Sequence, residues 1–200
     1  MSSFIGHSLT AVGIGIAFNS PRQPLLYRLG WFFWLIIISS FPDLDHYIPW
    51  LHQSAHDQTR ITHSLAFALI LPICTIFILT IMGVRGRQLK LYSLQVILAG
   101  LSHIILDLLV GVVGIPLFYP FSRQNIKLPW GILPSAGKID LSNYYLYRNL
   151  LIEMGVLLPF FVLVTIRRYH LLQTPQARVA IVSLIFTSVC FIFWGYNLSR

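Results

Sequence analysis

Six apolar runs occupy most of the 200-residue sequence, at roughly 4–19, 25–41, 61–83, 91–118, 146–166 and 177–197. Their lengths suit helices that cross or enter a bilayer, and hydrocarbon tolerates only structures whose backbone groups are satisfied internally. The chain is 56% hydrophobic and 10% charged, whereas a soluble domain carries about 25% charged residues. The expected fold is therefore all-α: a polytopic membrane helical bundle of about six transmembrane helices, forming a single integral membrane domain over residues 1–200. The first run is short and rich in glycine, which suits close helix packing. The fourth carries Gly111, Gly114 and Pro116 near its end, where a break or bend is expected. No cleavable signal peptide is expected, because the first apolar run contains His7 and no basic segment precedes it.

The formal net charge of +8 does not point to nucleic acid. The basic residues fall in short connections between apolar runs, as topology signals and headgroup contacts do. Cys74 and Cys190 lie inside apolar runs and read as core or lipid-facing residues, with no disulfide framework and no cysteine metal motif.

With six crossings, the connections alternate between two faces. The face opposite the N-terminus holds Arg22, Arg28, Arg85, Arg87, Lys90, Arg167, Arg168 and Arg178, and no acid. The positive-inside rule makes that face cytoplasmic. The N-terminal face is then periplasmic or extracellular, although it also carries Arg60, Arg123, Lys127, Lys138, Arg148 and Arg200.

The chain has only six carboxylates, and four of them lie in or beside apolar runs: Asp43, Asp45, Asp107 and Glu153. A carboxylate in hydrocarbon costs about 2.5–3.5 kcal/mol even on insertion scales, so each needs a partner. All four fall towards the N-terminal face, with His7, His46, His63 and His103. That agreement is what one site near one membrane surface requires, and histidine with carboxylate is a metal-ligand set.

His103 and Asp107, four apart, share a helix face and suit one ion, two neighbouring ions or an intrahelical hydrogen bond. Asp43-Leu44-Asp45-His46 places three potential ligands after Pro42; the two carboxylates can point to one side in an extended or irregular segment, and the alternative is a helix-ending turn. In Arg60-Ile61-Thr62-His63, Thr62 suits a helix cap, His63 a ligand, and Arg60 either a substrate phosphate or a lipid headgroup. Glu153 is a candidate ligand or general base, with Asn149 one turn before it. Ser122 and Arg123 follow the fourth run and could hold an anionic group. Residues 125–140 suit an interfacial loop. His52 and His56 read as surface residues, and His170 lies on the other face.

The set His7, Pro42-Asp-Leu-Asp-His46, Arg60-x-Thr-His-Ser64, Ser102-His-x-x-x-Asp107 and Pro120-Phe-Ser122 resembles the YdjM-like family, small inner-membrane proteins described as LexA-regulated, membrane-bound, metal-dependent hydrolases. The resemblance covers roughly residues 4–155, leaving the run at 177–197 as an accessory helix. It implies residence in the bacterial inner (plasma) membrane. A more distant similarity is to the zinc phospholipase C and P1 nuclease superfamily, helical phosphoesterases with three zinc ions. It implies His7, Asp43 or Asp45, His63, His103, Asp107 and Glu153 as metal ligands. The chain departs from that pattern in lacking a histidine between Asp107 and the last helix, and in placing Asn149 where that pattern has a histidine. One or two zinc ions, rather than three, are therefore expected.

The function expected is a membrane-bound metal-dependent hydrolase acting on a phosphoester in a lipid or lipid-linked substrate. Asp45 or Glu153 would accept a proton from water, and Arg60 and Arg123 would hold phosphate oxygens. An ion- or proton-coupled transporter is the first alternative, although a transporter places its polar groups near the midplane. A non-catalytic assembly factor with a metal-stapled bundle is the second.

Overall fold

The computed structural model describes residues 2–18, 23–46, 48, 60–135, 142–168 and 175–198. His52, His56, Lys138 and His170 lie outside the described residues, as does the side chain of His46. The expected all-α membrane bundle is what forms. The helices are α1 (Phe4–Phe18), α2 (Leu25–Ser40), α3 (Leu65–Ala68), α4 (Ile70–Ile81), α5 (Gly86–Val110), α6 (Tyr144–Arg168) and α7 (Pro175–Tyr196), with short 3-10 turns at Phe41–His46 and Ile61–His63. Extended pairing among the described residues is confined to a bridge between Ile115 and Ile126.

Among the described residues, four stretches are long and apolar enough to cross a membrane: Leu25–Asp45, Gly86–Val110, Tyr144–Arg167 and Arg178–Tyr196. The apolar helices Phe4–Phe18 and Leu65–Ile81 are shorter. At 15 residues, α1 reaches about 22 Å, less than the roughly 30 Å of a bilayer core. It packs against α2, α5 and α6, and its glycines permit the approach. A Cβ on Gly13 would meet the ring of Phe161 at 2.0 Å, and one on Gly6 would meet Glu153 Oε1 at 2.2 Å.

The long α5 is the other central element, in contact with α1, α2, α3 and α4. On one side, Leu35 and Ile38 of α2 and Ala11 of α1 pack with Val96 and Ala99 of α5. Nearer the other end, Leu106 and Val110 pack with Val156 and Leu157 of α6 and with Leu133 of the intervening loop. Gly100 lets the α3 backbone close on α5, because a Cβ there would meet the Ala68 carbonyl at 2.5 Å. By contrast, α7 packs against α6, with the Ser188 hydroxyl donating to the Val156 carbonyl at 3.1 Å, and leaves most of its apolar surface outward. Cys74 and Cys190 are exposed on apolar helices, which agrees with the lipid-facing reading.

The fourth run does break at the expected glycine: α5 stops at Val110, and Gly111 adopts a left-handed φ of 64° against the Trp130 carbonyl, which a Cβ would meet at 2.7 Å. Two boundaries differ from the sequence reading. That helix starts earlier, at Gly86, taking Arg87, Gln88 and Lys90 into its first turns. The third run is interrupted. Ser64, not Thr62, caps α3, accepting from the Phe67 N–H at 3.2 Å, while the Thr62 hydroxyl bonds to Asp45 and His63.

Candidate metal centre

The site forms where α2 ends, where the chain re-enters before α3, and on the last turns of α5. His103 and Asp107 project from one α5 face, as their spacing requires, with His103 Nε2 3.4 Å from Asp107 Oδ2. The chain leaves α2 as a 3-10 turn rather than an extended segment. At about 120° per residue in such a turn, side chains two apart cannot share a side. Asp43 and Asp45 therefore separate, contrary to the expectation that they converge. Asp43 faces the histidines, whereas Asp45 faces Arg60.

His63 Nε2 lies 3.3 Å from Asp107 Oδ2 and 3.5 Å from Asp43 Oδ1, and His103 Nε2 lies 3.9 Å from that Asp43 oxygen. None of these four atoms has a hydrogen-bond partner among the described residues, and each is buried. An orphaned buried polar atom costs about 1–3 kcal/mol, so four in neighbouring positions call for a partner that they share. In a tetrahedral shell with metal–ligand bonds of about 2.0–2.2 Å, neighbouring ligand atoms are about 3.4 Å apart. The observed spacings of 3.3–3.9 Å bracket that figure from just below to somewhat wide. Two imidazoles and two carboxylates fit a divalent ion of the zinc type.

His7 adds a second grouping. Its ring stacks on His103 with centroids 4.1 Å apart, and both ring nitrogens are buried without a partner. Its Nε2 is 3.8 Å from Asp107 Oδ1 and 3.9 Å from Asp43 Oδ2. Each aspartate thus turns one oxygen to His63 and His103 and the other to His7. His7–His103–Asp107 and Asp43–His63–His103 each bring their donor atoms within 4.8 Å of one another. Asp107 Oδ1 also accepts the Ser2 backbone N–H at 2.8 Å.

The surrounding bonds fix which ring nitrogen faces inward. His103 Nδ1 donates to the Ser39 carbonyl at 2.8 Å, leaving Nε2 free to bind. His63 Nδ1 is 2.9 Å from Thr62 Oγ1, and that hydroxyl donates to Asp45 Oδ2 at 3.0 Å. Arg60 grips Asp45 with Nε at 2.9 Å from Oδ2 and a terminal nitrogen at 2.7 Å from Oδ1. His63 precedes the membrane helix. Burial favours its neutral form, but the adjacent Asp107 and Asp43 carboxylates outweigh that and raise its pKa above the ordinary histidine value.

The remaining candidates sit elsewhere. Arg60 is engaged by Asp45 rather than aimed at the metal cluster. Glu153, 2% exposed, accepts from the hydroxyls of Ser2 and Ser3 and from the Ser3 N–H. Asn149 donates to the Ser135 carbonyl at 2.8 Å and accepts from Arg148, which ties down the loop before α6. Arg123 is exposed in the segment after α5. Ser2, Ser3 and Ser39 were not among the sequence candidates. Hydroxyls carry no charge to make them conspicuous, and Ser39 contributes a backbone carbonyl that no residue type advertises.

No curated protein and no solved structure matches this chain. The family described as YdjM inner membrane protein matches residues 1–198, which extends beyond the motif-bearing region to take in α7. The chain belongs to the YdjM family of inner membrane proteins.

Proposed function

We propose that this protein is a metal-dependent hydrolase of the inner membrane, acting on a phosphoester in a lipid or lipid-linked substrate. The observation that carries the reading is a set of four buried donor atoms, from Asp43, His63, His103 and Asp107, that have no partner among the described residues and stand 3.3–3.9 Å apart from histidine to carboxylate. These residues would hold one divalent ion, and His7 with the other oxygens of Asp43 and Asp107 would hold a second. Zinc in such a donor set supplies Lewis acidity and brings the pKa of water to about 7.

The chain's own residues then divide the work. Asp43 is the most open ligand, with its side chain 19% exposed where Asp107 is at 1% and the histidines at 0%. Substrate is therefore admitted on the Asp43 side. Asp45 orients His63 through Thr62, and Arg60 holds Asp45 in place, so both act by positioning. Glu153 fixes the N-terminal residues beside Asp107. Arg123, exposed after α5, remains the candidate for a phosphate contact.

The site lies at the end of α2 and the last two turns of α5, near one membrane surface, where a lipid presents its headgroup. That placement argues against a transporter, whose binding groups sit at the midplane. The basic residues Arg85, Arg87, Lys90 and Arg167 occupy the opposite end of the spans, which favours a periplasmic site. The near-complete burial of the histidines and Asp107 favours a second reading, a metal-stapled assembly factor.

Activity separates the two. Detergent-purified protein is assayed with zinc on phospholipids and on bis-p-nitrophenyl phosphate. The hydrolase reading expects phosphodiester cleavage that is abolished by a chelator and in His103→Ala and Asp107→Ala. Full activity in Asp107→Ala would refute the site assignment, and stoichiometric metal without cleavage of any phosphoester would favour the assembly factor.

A further inference from the structure

A cavity of about 350 Å³ opens at the other end of the bundle, between the end of α1, Gln23 and the first three turns of α5. Its floor is polar and deeply placed: Tyr92 is 3% exposed and Gln95 is 1% exposed. The Gln95 side-chain oxygen accepts from the Trp31 indole N–H. The Tyr92 hydroxyl is approached by the Gln23 amide at 2.5 Å, the Tyr27 hydroxyl at 3.1 Å and the Gln88 amide at 3.4 Å. The side-chain oxygen of Gln23 is buried and has no partner among the described residues. Phe18 and Leu91 supply apolar wall, and exposed Arg87 stands at the rim.

These features define a ligand. Among the described residues, no carboxylate or histidine lines the cavity, which gives it none of the donors of the metal centre. One guanidinium suits a phosphate. The orphaned Gln23 oxygen requires a donor, which a phosphate does not bring but a hydroxyl or ammonium does. The apolar walls suit a glycerol backbone and the start of an acyl chain. At about 30 Å³ per water-sized volume, the cavity has room for a phosphoglycerol-sized group. We propose that this pocket binds the headgroup of a glycerophospholipid, with its phosphate on Arg87 and its hydroxyl or ammonium donor on Gln23. Tyr92 and His103 are eleven positions apart on α5, roughly 16 Å along the helix, so the pocket is separate from the metal centre and does not depend on the hydrolase reading.

Native mass spectrometry in non-ionic detergent tests this. The probes are phosphatidylglycerol, phosphatidylcholine, which lacks the donor, diacylglycerol, which lacks the phosphate, and free glycerol 1-phosphate. One phosphatidylglycerol per chain should be retained about 10-fold more tightly than phosphatidylcholine or diacylglycerol. Arg87→Gln, at an exposed position, should remove that preference while leaving metal content and thermal unfolding unchanged, and Gln23→Leu should remove it with metal content unchanged and a small drop in the thermal midpoint from the lost bond to Tyr92. Glycerol 1-phosphate should compete only weakly. Strong competition by it would identify a soluble phosphate ester as the ligand and overturn the lipid assignment. Equal retention of all three lipids, or unaltered preference in Arg87→Gln, would overturn the pocket assignment itself.

Discussion

The two ends of α5 bury polar side chains in opposite ways. At the end near Gly86, Gln95 is paired with Trp31, and Tyr92 with Gln23 and Tyr27, neutral groups whose donors and acceptors match except at the Gln23 side-chain oxygen. At the end near Val110, the buried groups are ionisable, and inward-facing atoms of Asp43, His63, His103 and Asp107 lack partners. Neutral pairs of this kind stabilise a membrane bundle without further help, each contributing about 0.6 kcal/mol and at most about 1.7. The ionisable cluster is not satisfied by the protein alone. The difference separates neutral pairs met almost wholly within the fold from ionisable groups whose inward-facing atoms find no partner among the described residues.

Substitutions can break or sharpen that contrast. The largest effect should come from Asp107→Ala, which removes a carboxylate shared by both ligand groups; bound metal should fall below detection by elemental analysis, with helical circular dichroism retained. Next, Thr62→Val and Asp45→Asn cut the chain from Arg60 to His63 without touching an inward-facing donor atom. Loss of such outer support typically lowers metal affinity about 10–100-fold, measurable by competition with a chromophoric chelator. Gly13→Ala should destabilise the bundle by about 1–3 kcal/mol, because its methyl would meet the Phe161 ring; the thermal midpoint should drop while metal affinity holds. The smallest effect belongs to the neutral end. Trp31→Phe should cost about 1 kcal/mol in unfolding free energy and leave metal content unchanged. A loss of metal in Trp31→Phe would show that the two ends are coupled and dissolve the contrast.

Much of the candidate metal centre was legible in the sequence because charge in hydrocarbon is conspicuous. Asp107 and His103 announced themselves by spacing on a long apolar helix, and His7, Asp43 and His63 by their common face. Asp43 and Asp45 could not be told apart, because their directions depend on a 3-10 turn that Pro42 permits but does not dictate. The Glu153 environment was hidden for another reason: its partners, Ser2 and Ser3, are 150 residues away in sequence and uncharged. Gln95 and Tyr92 escaped notice as well, since neutral polar groups at the start of an apolar helix resemble an ordinary interfacial end. The expected break after residue 110 was readable from Gly111, whereas the interruption at Ser64 was not, because apolar periodicity continues through it.

The central claim is that Asp43, His63, His103 and Asp107 bind a divalent metal. Elemental analysis combined with X-ray absorption spectroscopy on protein extracted from membranes without added metal tests it most directly. One or two zinc ions per chain should be found, with nitrogen and oxygen ligands and the outer-shell scattering of imidazole. Protein that is folded and metal-free even after incubation with zinc, or metal ligated by sulfur, would contradict the account.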